Sequence, residues 1–187
     1  MNARKLSSRL YGFGGMAFIV LLAQSMAGLY LAMFYQPVPA EAWKSIEFIE
    51  TGLRAGGFAR SLHRWGAFVL MLFLFLHLLI GMCRSAFRPT RSINWLTGLP
   101  LLPLMAALVL TGYLLPWDFR AYWSVLTMGN WLDKLPFMDD ALRWLLFEDT
   151  PQGLVPLSRW FVLHAAVLPL LGGLALTLHL RAARRRL

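Results

Sequence analysis

The chain has 187 residues, 58% of them hydrophobic, and 18 Lys and Arg against 9 Asp and Glu give a formal net charge of +9. That composition excludes an ordinary soluble domain and a disordered chain. Cys83 is the only cysteine, which excludes an intrachain disulfide and any motif built on paired cysteines.

Four apolar runs follow one another: Gly12–Phe34, Leu62–Met82, Leu96–Leu115 and Phe161–Leu180. Each is close to the ~20 residues a helix needs to cross a bilayer. The first is too long for a signal-peptide core and lacks a small-residue cleavage site, so it reads as a retained span. The expected architecture is all-α: one integral membrane domain over 1–187, a four-transmembrane-helix bundle with spans near 12–34, 62–82, 96–115 and 161–180.

The segments between the runs orient them. Segment 1–11 carries Arg4, Lys5 and Arg9, the second connection Arg84, Arg88 and Arg91, and the tail Arg181, Arg184, Arg185 and Arg186, with no acid among them. All nine acids fall in residues 35–61 and 116–160. This is the positive-inside asymmetry of a membrane protein, so both termini and the second connection are expected on the cytoplasmic side. The basic charge is thus a topology signal and a contact for lipid head groups, and no nucleic-acid partner is expected. In the long outer connection, Asp118–Leu126 and Asp139–Phe147 read as short amphipathic helices with acidic first turns. Trp117, Trp123, Trp131 and Trp144 place them at the membrane interface. They serve either as a lid over an outer pocket or as plain cover for the helix ends. Pro89, Pro100, Pro103, Pro116 and Pro169 mark helix boundaries or kinks.

All four histidines of the chain lie within the second and fourth runs: His63 and His77 fourteen residues apart, His164 and His179 fifteen apart. With the N-terminus inside, these two helices run the same way. His63 and His164 then share an outer depth, and His77 and His179 an inner one. Fourteen residues of helix advance ~21 Å and return to within ~40° of the starting direction; fifteen advance ~22.5 Å and return to within ~60°. Both histidines of each helix can therefore face one interior. A histidine in the membrane is costly and needs a partner. Zinc usually takes four protein ligands, or three and water, and no acid or second cysteine lies in these spans to complete such a set. Haem iron needs only two axial ligands and can be held between facing helices. The alternatives are interhelical histidine hydrogen bonds or a haem-free proton channel or transporter. Gly14 and Gly28 in the first run, and Gly98 and Gly112 in the third, repeat the fourteen-residue spacing. Missing side chains there would make room for a flat macrocycle.

The stretches RSLHRWGAFVLMLFLFLH (60–77), TGYLLPWDFRAYW (111–123) and SRWFVLHAAVLPLLGGLALTLH (158–179) resemble the N-terminal dihaem half of the cytochrome b family, closest to its split form, cytochrome b6. The resemblance runs from about Arg9 to Arg186. It implies two non-covalent, bis-histidine b haems: His63 and His164 on an outer one, His77 and His179 on an inner one. It implies Arg60, Arg64 and Arg159 near the outer haem, Arg60 at a propionate, although each also fits a topology-setting arginine. Arg184 is implied at an inner quinone site. The function implied is transfer of electrons across the membrane, from outer to inner haem, within a quinol-oxidising or quinone-reactive respiratory or photosynthetic complex. An alternative is the cytochrome b anchor of a different, non-Rieske oxidoreductase with multihaem or iron–sulfur partners. Implied partners are lipid, quinone, a C-terminal cytochrome b-like subunit, Rieske or cytochrome c subunits and, by analogy, a second copy. The implied location is a bacterial inner membrane or its equivalent.

Three departures qualify the resemblance. Gly12 stands where cytochrome b6 has the cysteine of a covalent haem, so no covalent haem c is expected. Ile80 replaces an arginine often found three residues after the second ligand of that helix. The C-terminal half with its PEWY quinol motif is absent from this sequence, which implies that a separate subunit supplies it.

Overall fold

The computed structural model describes residues 3–83, 92–132, 134, 146 and 157–184, with side chains from Gly12 onward except those of Ser92 and Leu132. Every regular element among them is helical: α1 (Ala3–Ala32), α2 (Pro39–Gly52), α3 (Gly56–Cys83), α4 (Ser92–Gly98), α5 (Leu101–Leu114), α6 (Phe119–Leu132), α7 (Leu157–Val162), a π-helical turn (Leu163–Val167) and α8 (Leu168–Arg184). Four stretches are long and apolar enough to cross a membrane: Gly12–Ala32, Gly56–Cys83, Ile93–Leu114 and Leu157–Arg184. The second and fourth overrun their apolar runs, because a helix continues past the hydrocarbon once polar residues such as Arg60 and Arg181 reach water. The third is α4 and α5 joined through Leu99 and Pro100. Pro100 and Pro103 lack the N–H groups that an unbroken helix would pair there.

Few residues within the spans are buried by the protein itself. Ile19, Met26, Leu72, Phe75, Leu170 and Leu174 project outward, as expected where lipid is the covering solvent and each helix satisfies its own backbone. α1 packs along α3, and α8 lies against α4 and α5. The core has two parts. Ala17, Leu70 and Met105 form a central layer with Val20, Leu21, Phe73, Leu74 and Leu108. Leu114, Ala121, Val125 and Trp160 form a second cluster that seats α6 on the end of the third span and the start of the fourth.

The outer connections carry more structure than the sequence suggested. α2 was not anticipated. Pro39 starts it, Glu41 lies in its first turn, and Ala42, Ser45, Ile46 and Ile49 form its buried face. Asp118 caps α6, its Oδ1 accepting the Ala121 N–H at 2.8 Å, and the helix runs on to Leu132. The suggested helix at Asp139–Phe147 lies, apart from Leu146, outside the described residues, as do Pro89, Trp144, Arg84, Arg88 and Arg91. The Tyr35 hydroxyl donates to Leu115 O at 2.5 Å, and its ring packs on Phe161, tying three spans together at one end. Burial raises the Tyr35 phenol above its ordinary value.

Candidate functional site

α3 and the fourth span bring the four histidines together in two pairs. The rings of His63 and His164 stand 6.0 Å apart between centroids with planes at 83°. Those of His77 and His179 stand 6.3 Å apart at 89°. A metal–imidazole bond of about 2.0 Å puts each ring centroid about 3.2 Å from the metal, so two imidazoles on opposite sides of one ion stand about 6.3 Å apart. Both pairs have that separation.

The four glycines determine how the rings are held. A Cβ on Gly28 would come to 2.9 Å from His63 Cε1, on Gly14 to 3.0 Å from His77 Cε1, on Gly98 to 2.9 Å from His179 Cε1, and on Gly112 to 2.6 Å from His164 Cε1. Each imidazole therefore lies edge-on against one glycine of a neighbouring helix, and the space the sequence assigned to a macrocycle is filled by the ring edges. The close approach has a purpose. His63 Nδ1 lies 3.1 Å from Gln24 O, and His179 Nδ1 3.1 Å from Asn94 O. His164 hydrogen-bonds to the Leu108 backbone, and its Nδ1 lies 3.1 Å from Thr111 Oγ1. Each of these carbonyls belongs to the residue four before the glycine. A helical side chain leans back over the preceding turn, so a Cβ at the glycine would cover that carbonyl. Its absence lets the imidazole reach it. His77 also has a partner.

A carbonyl only accepts, so the proton of His63 and His179 sits on Nδ1; the Thr111 hydroxyl gives its own proton to Ala107 O at 2.7 Å and so accepts from His164 Nδ1, and on all three rings Nε2 carries a lone pair. For His63 and His164 this bears on the alternatives. His63 and His164 both present acceptors, and two acceptors cannot hydrogen-bond one another. What satisfies both is an electron-pair acceptor between them, with the Nδ1 bonds setting tautomer and ring orientation as they do around bound metals. Other unpaired groups lie close by. Both polar atoms of the buried Gln24 carboxamide, and Asn94 Oδ1 at the inner level, have no hydrogen-bond partner, at a cost of ~1–3 kcal/mol for each group so left. The ring separation, the lone pairs and these orphaned groups fit a haem at either level. No cluster of three or more His, Cys, Asp or Glu that could hold a bare metal ion occurs among the described residues.

The arginines are placed differently. Arg60 forms an ion pair with Glu50 of α2, and the Arg64 guanidinium lies 6.0 Å from the centre of the Trp65 ring. Arg159 sits in the short α7 and has a partner; Arg184 ends α8. Sequence reasoning missed Thr97 and Thr111. Each precedes a ring-contacting glycine, so a Thr-Gly pair repeats fourteen residues apart. Thr97 Oγ1 lies 3.4 Å from His179 Nδ1.

The cytochrome b/b6/petB family model matches residues 2–186. The chain belongs to the cytochrome b family. As a member it is an integral membrane protein that binds b-type haem. Its relatives include a cytochrome b6 of Heliobacterium mobile, 36% identical over 86% of this chain and 75% of that one. A cytochrome b6 of Synechococcus sp. (strain JA-3-3Ab) is 34% identical over 94% of this chain and 82% of its own. The menaquinol:cytochrome c reductase cytochrome b subunit of Geobacillus thermodenitrificans is 34% identical over 89% of this chain and 75% of that subunit. Among solved structures, a chain of a hyperthermophilic respiratory Complex III superposes with a TM-score of 0.83 at 26% identity. The match covers 94% of this chain and 47% of the solved one, so this cytochrome b spans about half the length of that relative.

Proposed function

We propose that this cytochrome b is the dihaem subunit of a quinol-oxidising membrane complex, carrying electrons from an outer to an inner level of the bilayer. The observation that carries the reading is the outer pair: two imidazoles at 6.0 Å, both with Nδ1 bonded elsewhere and both with a lone pair to give. Haem b supplies a one-electron redox centre when bound between such rings. The work of the chain is to hold the centres. His63 and His164 would ligate at the outer level, His77 and His179 at the inner. Gly14, Gly28, Gly98 and Gly112 seat the rings at the proposed haem faces. The fourteen residues between His63 and His77 put the levels ~21 Å apart in a hydrocarbon core of about 30 Å, which divides the crossing into shorter stages.

Arg60, Arg64 and Arg159 gather positive charge at the outer end, where carboxylate groups of a bound haem would meet water. Arg60 would exchange its Glu50 partner for a propionate. Arg184 at the end of α8 would serve a quinone on the inner side. Relatives named as a reductase subunit and as part of a respiratory complex support work within a larger assembly, in which the chain would join a C-terminal cytochrome b-like subunit and Rieske, cytochrome c or iron–sulfur subunits. It would assemble as a homodimer in a bacterial inner membrane with both termini cytoplasmic. The test is haem quantitation and a reduced-minus-oxidised spectrum of the purified protein. Two haem b per chain are expected, with His77→Ala losing only the inner one. Fewer than two in the wild type, or loss of the outer haem alone in the variant, rejects the assignment.

A further inference from the structure

The fourth span contains an irregularity that bears on how two levels of ligand can share one helix. Its backbone is α-helical to Val162, π-helical over Leu163–Val167 and α-helical again from Leu168. The Leu168 N–H donates to Leu163 O, five residues back. Pro169 follows directly. Proline offers no N–H to the carbonyl four residues before it, Ala165 O, and its ring crowds that carbonyl. A π turn widens the helix at such a point and takes in one residue more than an α turn.

The count of residues shows what this accomplishes. Fourteen residues of α-helix, the separation of His63 and His77 on α3, fall ~40° short of whole turns; fifteen go ~60° beyond them. The difference is the ~100° of one residue, enough to swing one ring of the fourth span away from its partner on α3. Yet both pairs face each other, at 6.0 and 6.3 Å. The fifteen residues from His164 to His179 therefore turn as fourteen do, and the π turn absorbs the odd one.

We propose that the Leu163–Val167 π turn, anchored by Pro169, is the register device that brings His164 and His179 onto one face, so that this stretch carries one residue its ligand geometry does not need. The proposal rests on the reading of the four histidines as haem ligands. It assigns a positioning role to a segment that provides only one ligand itself.

The test compares three proteins in their assembled form. Deleting Ala166 leaves fourteen residues between the histidines and an α-helical path; two haem b per chain are expected, with the outer-haem EPR signal and potential close to wild type. A second variant lacks Ala166 but has one alanine inserted after Leu174, restoring fifteen residues with the extra one below Pro169. There His179 is turned by ~100°, and a drop from two haems to one, with the inner haem missing, is expected. Loss of a haem or of the folded chain on deleting Ala166 overturns the proposal, and so does retention of both haems by the relocated variant. A wild type without two haems would instead reject the functional reading, so the two failures are distinct.

Discussion

Gly112→Ala tests the ring-against-glycine arrangement most directly. The new Cβ would stand 2.6 Å from His164 Cε1 and 3.2 Å from Nδ1, where carbon atoms rest at ~3.5–4.0 Å. The ring must retreat by about 1 Å. Turning it off its rotamer costs about 0.5–1.5 kcal/mol, and losing the ring's bonds to the Leu108 backbone and Thr111 costs about 1–3 kcal/mol because the N–H stays buried. Together, about 1.5–4.5 kcal/mol is charged to the liganded geometry, which weakens outer-haem binding by roughly 10- to 1,600-fold. The helix itself is not weakened, since alanine is the better helix former by up to about 1 kcal/mol. Haem titration of the purified apoprotein, read at the two α-bands, should show the outer haem lost or loosely held and the inner one unaffected. Gly173→Ala is the control, since a Cβ there meets nothing within 4 Å. Unchanged outer-haem affinity in Gly112→Ala would refute the reasoning, as would equal losses in both variants.

Three further outcomes follow from other contacts. Thr111→Val removes the hydroxyl 3.1 Å from His164 Nδ1 and should weaken the outer haem about tenfold, the lower end for second-sphere partners. Thr97→Val, whose hydroxyl is 3.4 Å from His179 Nδ1, should change the inner haem less; equal effects in haem titration would speak against hydrogen bonding as the cause. Ala55→Gly should stabilise the protein by about 0.5–1 kcal/mol in a thermal or detergent unfolding assay, because Ala55 has φ 62° and a left-handed alanine costs ~1–2 kcal/mol. For Tyr35, burial raises the phenol above its ordinary value of 10, so the folded state holds the proton more tightly than the unfolded one. That contribution is intact below about pH 10 and lost as the pH climbs above it. Tyr35→Phe should flatten the alkaline limb of a stability-against-pH curve, and an unchanged limb would assign it to other groups.

The parts of this protein that sequence makes legible are those written as runs and spacings. Apolar length marks four spans because lipid asks only for length and hydropathy. The two histidine pairs follow from depth once charge orients the helices. Gly14 with Gly28, and Gly98 with Gly112, could be seen to share one face of their own helix, but spacing gives a face and not the neighbour on it. Contact with the imidazole edges therefore required three-dimensional structure. α2 escaped notice because Glu41, Lys44, Glu47 and Glu50 break the apolar pattern that Ala42, Ile46 and Ile49 carry; Pro39 at its start was the available signal. Arg60 was singled out without its partner for the same reason, since Glu50 belongs to that unrecognised helix. The π turn was foreshadowed by fifteen residues where the companion helix has fourteen, with a proline five residues after His164.

The central layer bears on what the two levels can be for. Leu70 is the midpoint of His63 and His77, and Met105 the midpoint of Gly98 and Gly112; both are buried, packed with Ala17. Gly172, near the middle of the fourth span, lies against Met105, where an added Cβ would come to 3.0 Å from the methionine methyl. The side chains of this layer are all apolar and offer a proton no group to hop along. A proton relay between the histidine pairs would need polar side chains or room for water with two to four polar partners, and this packing provides neither. An electron needs no such chain of groups. A dry, close-packed layer between two ligand levels is therefore compatible with electron transfer and opposed to proton conduction along the same axis.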